Sequence, residues 1–394
     1  MQHYIGIDNS YSDHKVQIID ENDNKIMFFS IRNTFDGFEM LNKQLSKLEN
    51  IKIGFELPHG PLVDYLHYKN YKLYSLNPLK VKRFKELKTI SGNKSDEIDS
   101  LAIAQYLQSN IRNTRELTYN SSEIERLKLL SVVHDRITRD HTRHINKLHF
   151  CIRQYYPIQE VLFSSFGCIV QLEMIKKYPV FEVLKQAKAE ELTAFLKTHS
   201  YRNQAYINKI IKKIQEHRQL ISKDVESIYQ IEAELLCNIL RDLNTSLKKI
   251  EKEMNIICDN HRLGKYIKSL PGAGHILSCK ILALFGDQKN RFDNYNQPQC
   301  LFGTAPKNYQ SGQFHKVLMR KSCDKNAKSL LYKFAFSTLR YSDWSRKYYD
   351  KQRSKGKLHS VSIRALSNKW VKIIFKIWKD EIFYEDMQKN LAVA

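Results

Sequence analysis

The seven cysteines form no Cys-x-x-Cys pair; they stand singly at wide intervals from Cys151 to Cys323, and their number is odd. That pattern argues against a disulfide framework and a zinc site, and it fits a reducing compartment. Nowhere does the chain approach the roughly 18 unbroken apolar residues that a membrane span needs. The opening MQHYIGIDNS has no basic segment followed by an apolar one, so no signal peptide is expected. The expected location is the cytoplasm, at the nucleoid when nucleic acid is bound. Internal repeats and low-complexity linkers are also missing. Acidic side chains are in short supply, 42 against 64 Lys and Arg, which leaves a formal charge of +22. Such an excess repels itself unless an anion meets it. Nucleic acid is the natural partner, and an acidic membrane surface is the weaker one. Between Gln313 and Lys379 there are 18 Lys or Arg against Asp324, Asp343 and Asp350, with Tyr, Phe and Trp interleaved. About two thirds of the net charge therefore sits here. Lys-rich solvated helix faces would give the same count; a phosphate-binding surface is the reading favoured.

What is present suits two or three domains. The chain has 394 residues and 42% are apolar, enough for each domain to bury a core. The residues His3–Asp8, Lys15–Ile19 and Lys25–Ile31 read as three successive strands. A helix is expected over Phe35–Leu48 from the spacing of Phe35, Phe38, Leu41, Leu45 and Leu48. Ile51–Glu56 reads as a fourth strand, Leu62–Tyr68 as a short helix and Lys72–Leu76 as a fifth strand. This order is that of the ribonuclease H-like (RuvC-like) fold, an α/β class. From Asp99 to Asn255 the pattern is almost wholly helical, with long helices expected over Ser122–Tyr155 and Tyr206–Cys258 and shorter ones between. These make a helical or coiled-coil arm for oligomerisation or for spanning nucleic acid, or else a plain bundle. Near His261 the character changes. Pro271-Gly272-Ala273-Gly274 forms a compact turn before the apolar helix Ile276–Phe285, resembling half of a helix–hairpin–helix whose backbone N–H groups can hold a phosphate. The expected division is 1–115, 116–260 and 261–394, the last mostly helical.

Phosphodiester chemistry with two metals needs several carboxylates converging on hard cations. Asp8 closes the apolar strand Tyr4-Ile5-Gly6-Ile7. If the first and fourth strands are neighbours, Glu56 faces it. Asp96 and Asp99 open the next helix at i, i+3, on one face of its first turn. Each has a plain alternative: Asp96 and Asp99 as acids answering the helix dipole, Asp8 as a turn residue. Asp13 and Glu97 are nearby decoys. Jointly, on this strand order, Asp8, Glu56, Asp96 and Asp99 are the candidate metal site.

At these residues the chain resembles the DEDD-type transposases of the insertion sequence one-ten family, over nearly its whole length. The motifs are Gly6-Ile7-Asp8-Asn9-Ser10, Glu56-Leu57-Pro58-His59-Gly60, Asn77-Pro78 with its basic helix, and Lys94-Ser95-Asp96-Glu97-Ile98-Asp99-Ser100. In the C-terminal part they are Pro271-Gly272-Ala273-Gly274, Gly286-Asp287, Arg291-Phe292, Gly303-Thr304-Ala305-Pro306 and Gln310-Ser311-Gly312. Ser95 and Ser100 replace the family's usual Thr and Ala, Leu57-Pro58-His59 departs from its usual residues, and the Gly- and Arg-rich stretch after Ser311-Gly312 is thinner.

The resemblance implies an RNA-guided recombinase of an insertion sequence. Mg²⁺ (or Mn²⁺) would be held by Asp8, Glu56, Asp96 and Asp99, and Ser311 would be the nucleophile that forms a covalent phosphoserine. From composition alone, Ser311-Gly312 reads as a surface turn. Donor DNA, target DNA, a bridge RNA and further copies of the chain, in a dimer or tetramer, are the implied partners; a membrane is not. Nucleic-acid contacts are expected from Lys80, Lys82, Arg83, Lys316, Arg320 and Lys321. Two rivals follow from the same residues. One is a RuvC-like, metal-dependent nuclease such as a resolvase, in which water attacks and Ser311 is structural. The other is a binding protein without catalysis.

Overall fold

The computed structural model describes residues 1–88 and 95–384, so Lys94 of the Lys-Ser-Asp run lies outside the described residues. The chain divides into two compact units, Met1–Tyr119 and Asn120–Ala394. Among the described residues, no helix is long and apolar enough to cross a membrane.

In the first unit a five-stranded sheet has the order β3-β2-β1-β4-β5. Its strands are β1 (His3–Asn9), β2 (Asp13–Asp20), β3 (Lys25–Arg32), β4 (Ile51–Phe55) and β5 (Lys72–Ser75). The first three meander antiparallel; β4 pairs parallel with β1 and β5 parallel with β4. Central strands covered on both faces read as unbroken apolar runs, and Tyr4 to Ile7 are all buried. The helices are α1 (Phe35–Leu45), α2 (Pro61–Tyr68), α3 (Pro78–Lys88) and α4 (Asp96–Asn110). Helix α1 begins where Thr34 accepts a hydrogen bond from the Gly37 N–H, and it ends at Leu45, short of the expected Leu48.

The two faces of the sheet have separate cores. Ile5, Ile7, Ile53 and Phe55 pack with Phe38, Leu41 and Leu66 of α1 and α2. Tyr4 and Leu76 pack instead with Ile103, Ala104 and Leu107 of α4. Full burial of an Ile, Leu or Phe side chain among them contributes about 1.5–3 kcal/mol. Side chains alternate along a strand, so Tyr4, Gly6 and Asp8 share the α4 face, as do Gly54 and the position after Phe55. Both strand-borne acids are thereby directed at α4.

The second unit is helical apart from one hairpin. Helix α5 (Ser122–Tyr155) is followed by α6 (Gln159–Leu162), α7 (Ile169–Lys177), α8 (Phe181–Gln186), α9 (Ala189–Thr198), α10 (Gln204–Glu216) and α11 (Lys223–Asn260). Then come α12 (Gly264–Lys268), α13 (Gly274–Phe285), α14 (Asn296–Leu301), the hairpin β6 (Lys307–Ser311) and β7 (Phe314–Leu318), and α15 (Lys325–Thr338), α16 (Asp343–Ser354) and α17 (His359–Asp380). The long helices α5 and α11 lie antiparallel. Ile124 and Leu127 share a core with Met254 and Cys258, whereas Leu148 and Ile152 share another with Ala233 and Leu240. The first core is completed by α12 to α17 with Trp370, Trp378 and Phe285, and the second by α6 to α10.

The single helix expected over Tyr206–Cys258 is two helices, parted at residues 217–222. Periodicity runs straight through this point, but capping chemistry does not. Ser222 accepts from the Val225 N–H, and Asp224 and Glu226 occupy the new first turn.

Candidate active site

The first unit's acids are positioned by short-range devices. Gly6 lets α4 touch β1: a Cβ there would lie 2.1 Å from the Ser100 carbonyl oxygen and 2.4 Å from the Ala104 nitrogen. The buried Ser100 and Ala104, one turn apart, are the small residues of that contact. It sets the first turn of α4, and therefore Asp99, over the end of β1. Glu56 directly follows β4, and Ile7 pairs with Phe55, so Asp8 and Glu56 are adjacent in register. The loop after Glu56 is pinned by Asn9, whose Nδ2 donates to the carbonyls of Leu57 and His59 at 3.1 and 2.9 Å. That clamp fixes Glu56 despite the unusual Leu57-Pro58-His59.

Asn77 Oδ1 accepts from the Leu79 and Lys80 N–H groups and starts α3. Two turns later Lys85 reaches Asp99, with Nζ 2.5 Å from Oδ1. Sequence reading missed Lys85; only the approach of α3 to α4 distinguishes it from the other lysines of a basic helix. Glu56 is pushed above the ordinary carboxylate range by burial first, then by the charges of Asp8 and Asp99, while Lys85 pulls it down. Asp8, Glu56 and Asp99 thus form one electrostatic set. Asp96 is exposed at the first position of α4 and is not among the charges acting on Glu56. Among the described residues, no three acidic, His or Cys side chains stand close enough to enclose an ion. Lys80, Lys82 and Arg83 are exposed on α3, and Lys82 lies 3.9 Å from Glu86.

In the second unit, Ser311 ends β6 at the tip of a hairpin whose strands are exposed throughout. It pairs with Phe314 across the turn Gly312-Gln313, and Gly312 has φ +55°, as a tight two-residue turn with Gly first requires. No hydrogen bond engages the Ser311 hydroxyl among the described residues. The position is therefore the surface turn that composition suggested. Lys316 projects from β7 and Lys321 follows it, both exposed, while Arg320 is half-buried.

The other C-terminal motifs hold this hairpin and its neighbours in place. Gly303 has φ +69°, and a Cβ there would lie 2.3 Å from Cys323 Sγ. Thr304 Oγ1 donates to Asn368 Oδ1 at 3.1 Å, and the Gln299 carbonyl accepts from the Thr304 and Ala305 N–H groups at 3.0 Å. The loop leading into β6 is thus fastened to α17. At Gly272 the carbonyl accepts from Ser337 Oγ at 2.6 Å, which docks the Pro-Gly turn on α15. Gly286-Asp287 anchors the start of α5. The Asp287 carboxylate accepts from the Ser121 N–H at 3.1 and 3.2 Å, and Asn120 Oδ1 accepts from the Asp287 N–H. Burial raises the Asp287 carboxyl, but the hydrogen bonds from Ser121 and the nearby His261 outweigh it, and the net shift is downward.

Two family models match the chain at its two ends. Residues 5–157, which hold all four acids, match the model DEDD_Tnp_IS110, described as a transposase. Residues 264–350, which hold Ser311, match the transposase IS116/IS110/IS902 family. The chain belongs to the IS110 family of transposases. It is a DNA-processing enzyme. The transposase is 24% identical over 380 residues to the mini-circle putative transposase for IS117 of Streptomyces coelicolor, covering 93% of this chain and 92% of that protein. It is 22% identical to an uncharacterized 43.6 kDa protein of insertion element IS110 from the same organism, covering 74% of this chain and 72% of that one. With an uncharacterized 42 kDa protein of insertion element IS900 from Mycobacterium paratuberculosis it shares 23% identity over 76% and 75% of the two chains.

The transposase's acids fit a divalent cation by donor chemistry. They are hard carboxylate oxygens, one of them desolvated and strained by two like charges. Lys85 already places a cation against the set.

Proposed function

We propose that this transposase cuts and rejoins DNA by site-specific strand exchange, with Ser311 as nucleophile and Asp8, Glu56, Asp96 and Asp99 as the residues that would hold Mg²⁺ or Mn²⁺. The sheet order and the position of Asp8 and Glu56 at the carboxyl ends of its neighbouring central strands support a ribonuclease H-like reading of the first unit. The observation that carries the proposal is the gathering of Asp8 and Asp99 about the half-buried Glu56, whose carboxylate their like charges disfavour and a bound cation would favour. Bound there, the metal would supply a Lewis acid that polarises the phosphoryl oxygens and screens the charge growing on them.

The chain's own chemistry is an exchange of one phosphodiester bond for another. A bond forms from Ser311 Oγ to phosphorus, and the bond from phosphorus to one sugar oxygen breaks. The serine proton passes to a base, and the departing sugar oxygen takes up a proton. A hydroxyl end of the second DNA then attacks the phosphoserine, and serine leaves. Phosphodiester energy is kept throughout, so no ATP is consumed. An exposed tip suits a nucleophile that must reach a phosphate inside a bulky duplex. A serine hydroxyl is weak without help, so a base or a metal ion must activate it. Two DNA partners call for at least two copies of the chain, and the family resemblance adds a bridge RNA that pairs with donor and target.

The test mixes purified protein, RNA transcribed from the flank of its element, and labelled donor and target DNA in Mg²⁺. Protein–DNA adducts and joined product on denaturing gels are expected from wild type and absent from Ser311→Ala. Cutting that persists in Ser311→Ala without adducts would instead make the protein a hydrolytic, RuvC-like nuclease.

A further inference from the structure

A groove of about 470 Å³ lies between the Gly303–Pro306 loop, the end of β7 and one face of α17. Four cations line it, Arg320, Lys357, Arg364 and Lys369, and no acid does. None of the four takes part in an ion pair among the described residues, although ion pairs are frequent elsewhere on the chain. Arg320 Nε is buried with no hydrogen-bond partner among the described residues. Among the described residues, Arg364 Nη1 meets only the soft Sδ of Met319, at 3.5 Å. Lys369 Nζ sits 5.1 Å over the ring of Tyr348, another lining residue, and Asn368 offers an amide. Beyond the groove the same helix face continues to Lys372, 4.8 Å over Tyr295. A guanidinium with one buried, unpartnered nitrogen, further cations, an aromatic face and an amide form the chemistry of a site for a nucleic-acid strand: cations for phosphates and a ring for a base.

We infer that this groove grips the DNA strand that Ser311 attacks, a few nucleotides to one side of the scissile phosphate. The inference rests on the reading of Ser311 as nucleophile. Leu318 and Val317 of β7 form one wall of the groove, and β7 runs from there to the turn that bears Ser311. From Leu318 to Phe314, the partner of Ser311, the strand spans about 14 Å at roughly 3.4 Å per residue. A nucleic-acid strand rises about 3.4 Å per nucleotide. The phosphates of one strand lie farther apart than this axial rise, so Ser311 meets a phosphate only a few nucleotides from the one held in the groove. The groove shares β7 with the turn that bears Ser311, and this continuity points to the DNA that the serine attacks as occupant, not guide RNA.

The test compares Arg364→Gln/Lys369→Gln with its parent, both in Ser311→Ala protein so that no DNA is cut. Binding of fluorescein-labelled single-stranded DNA and of RNA of the same sequence is followed by anisotropy across salt concentrations. For DNA, affinity is expected to fall on the order of tenfold, and the slope of log affinity against log salt to flatten by about 1.4, two single-strand phosphate contacts. An unchanged slope for DNA, or a loss confined to RNA, overturns the inference. Unaltered thermal melting separates a lost contact from a lost fold. With Ser311 restored, adduct yield is read on substrates shortened on each side. Variant and parent should converge once the DNA on the groove side is too short to reach the groove. Adducts made equally by both proteins at every length would sink the groove and leave the serine reading standing. No adducts in wild type, with the binding loss still seen, would do the reverse.

Discussion

Adding a single methyl group at Gly6 should disable the acidic centre without touching an acid. The Cβ of Gly6→Ala would lie 2.1 Å from the Ser100 carbonyl oxygen and 2.4 Å from the Ala104 nitrogen. Ordinary contact is wider, so α4 must retreat from β1 by about 1 Å. Both obstructing atoms are backbone, and trimming a neighbouring side chain cannot make room. Overpacking of this kind costs about 1–3 kcal/mol, and a melting temperature several degrees lower is expected. The functional loss should be larger than the thermal one. Asp99 rides on the displaced turn while Asp8 and Glu56 stay on the sheet, and a 1 Å misplacement in a reacting constellation costs roughly 10²-fold in rate. Strand cleavage should be compared with melting for wild type, Gly6→Ala and Gly6→Ala/Ser100→Ala. The double variant should recover nothing. Wild-type cleavage by Gly6→Ala, or rescue by Ser100→Ala, would refute the argument that α4 is set by this contact.

Other expectations follow from the same geometry. Glu56 has a raised folded-state pKa, so the folded protein binds the extra proton and loses stability as pH rises through that range. Glu56→Gln should therefore melt slightly higher than wild type at pH 7, equal it near pH 4, and abolish cleavage. Removing Lys85, which lowers Glu56, should move the Glu56 titration to higher pH, as read by NMR of the carboxyl carbons of Lys85→Met. Asp287 is shifted the other way, so its contribution is present above the ordinary carboxylate range and lost as pH falls through its lowered value. Asp287→Asn should cost about 1–2 kcal/mol at pH 7 and flatten the acid limb of the melting curve. Ser311→Ala, at an exposed turn, should melt within about 0.5 kcal/mol of wild type.

The first unit was legible because its signals are local. Alternation marked five strands, and the neighbourhood of β1 and β4 placed Glu56 beside Asp8 before any coordinates. Lys85 and the Gly6–Ser100–Ala104 contact were not legible, since each depends on how closely two helices or a helix and a strand approach. The break between α10 and α11 was written in Ser222, Asp224 and Glu226, but apolar spacing runs on through it and masked the cap. The groove beside α17 was half visible: Arg320 was a candidate contact, yet Arg364 and Lys369 join it only once α17 lies along β7. Ser311 illustrates the opposite case. Its turn was plain from Ser-Gly, and its chemistry rests on resemblance and on the assay.

The paired helices α5 and α11 run about 50 Å at 1.5 Å per residue, with a separate core at each end. The far core is built largely from residues between the two family-matched segments, 5–157 and 264–350. Such a strut fixes length and angle together. One residue added to each helix midway would carry the far core outward by about 1.5 Å but turn each apolar stripe by about 100° about its own helix axis, so the two halves of the interface could not both stay packed. The far block is therefore held at one distance and one angle, and a change in helix length at one end must be matched by a repacked stripe at the other.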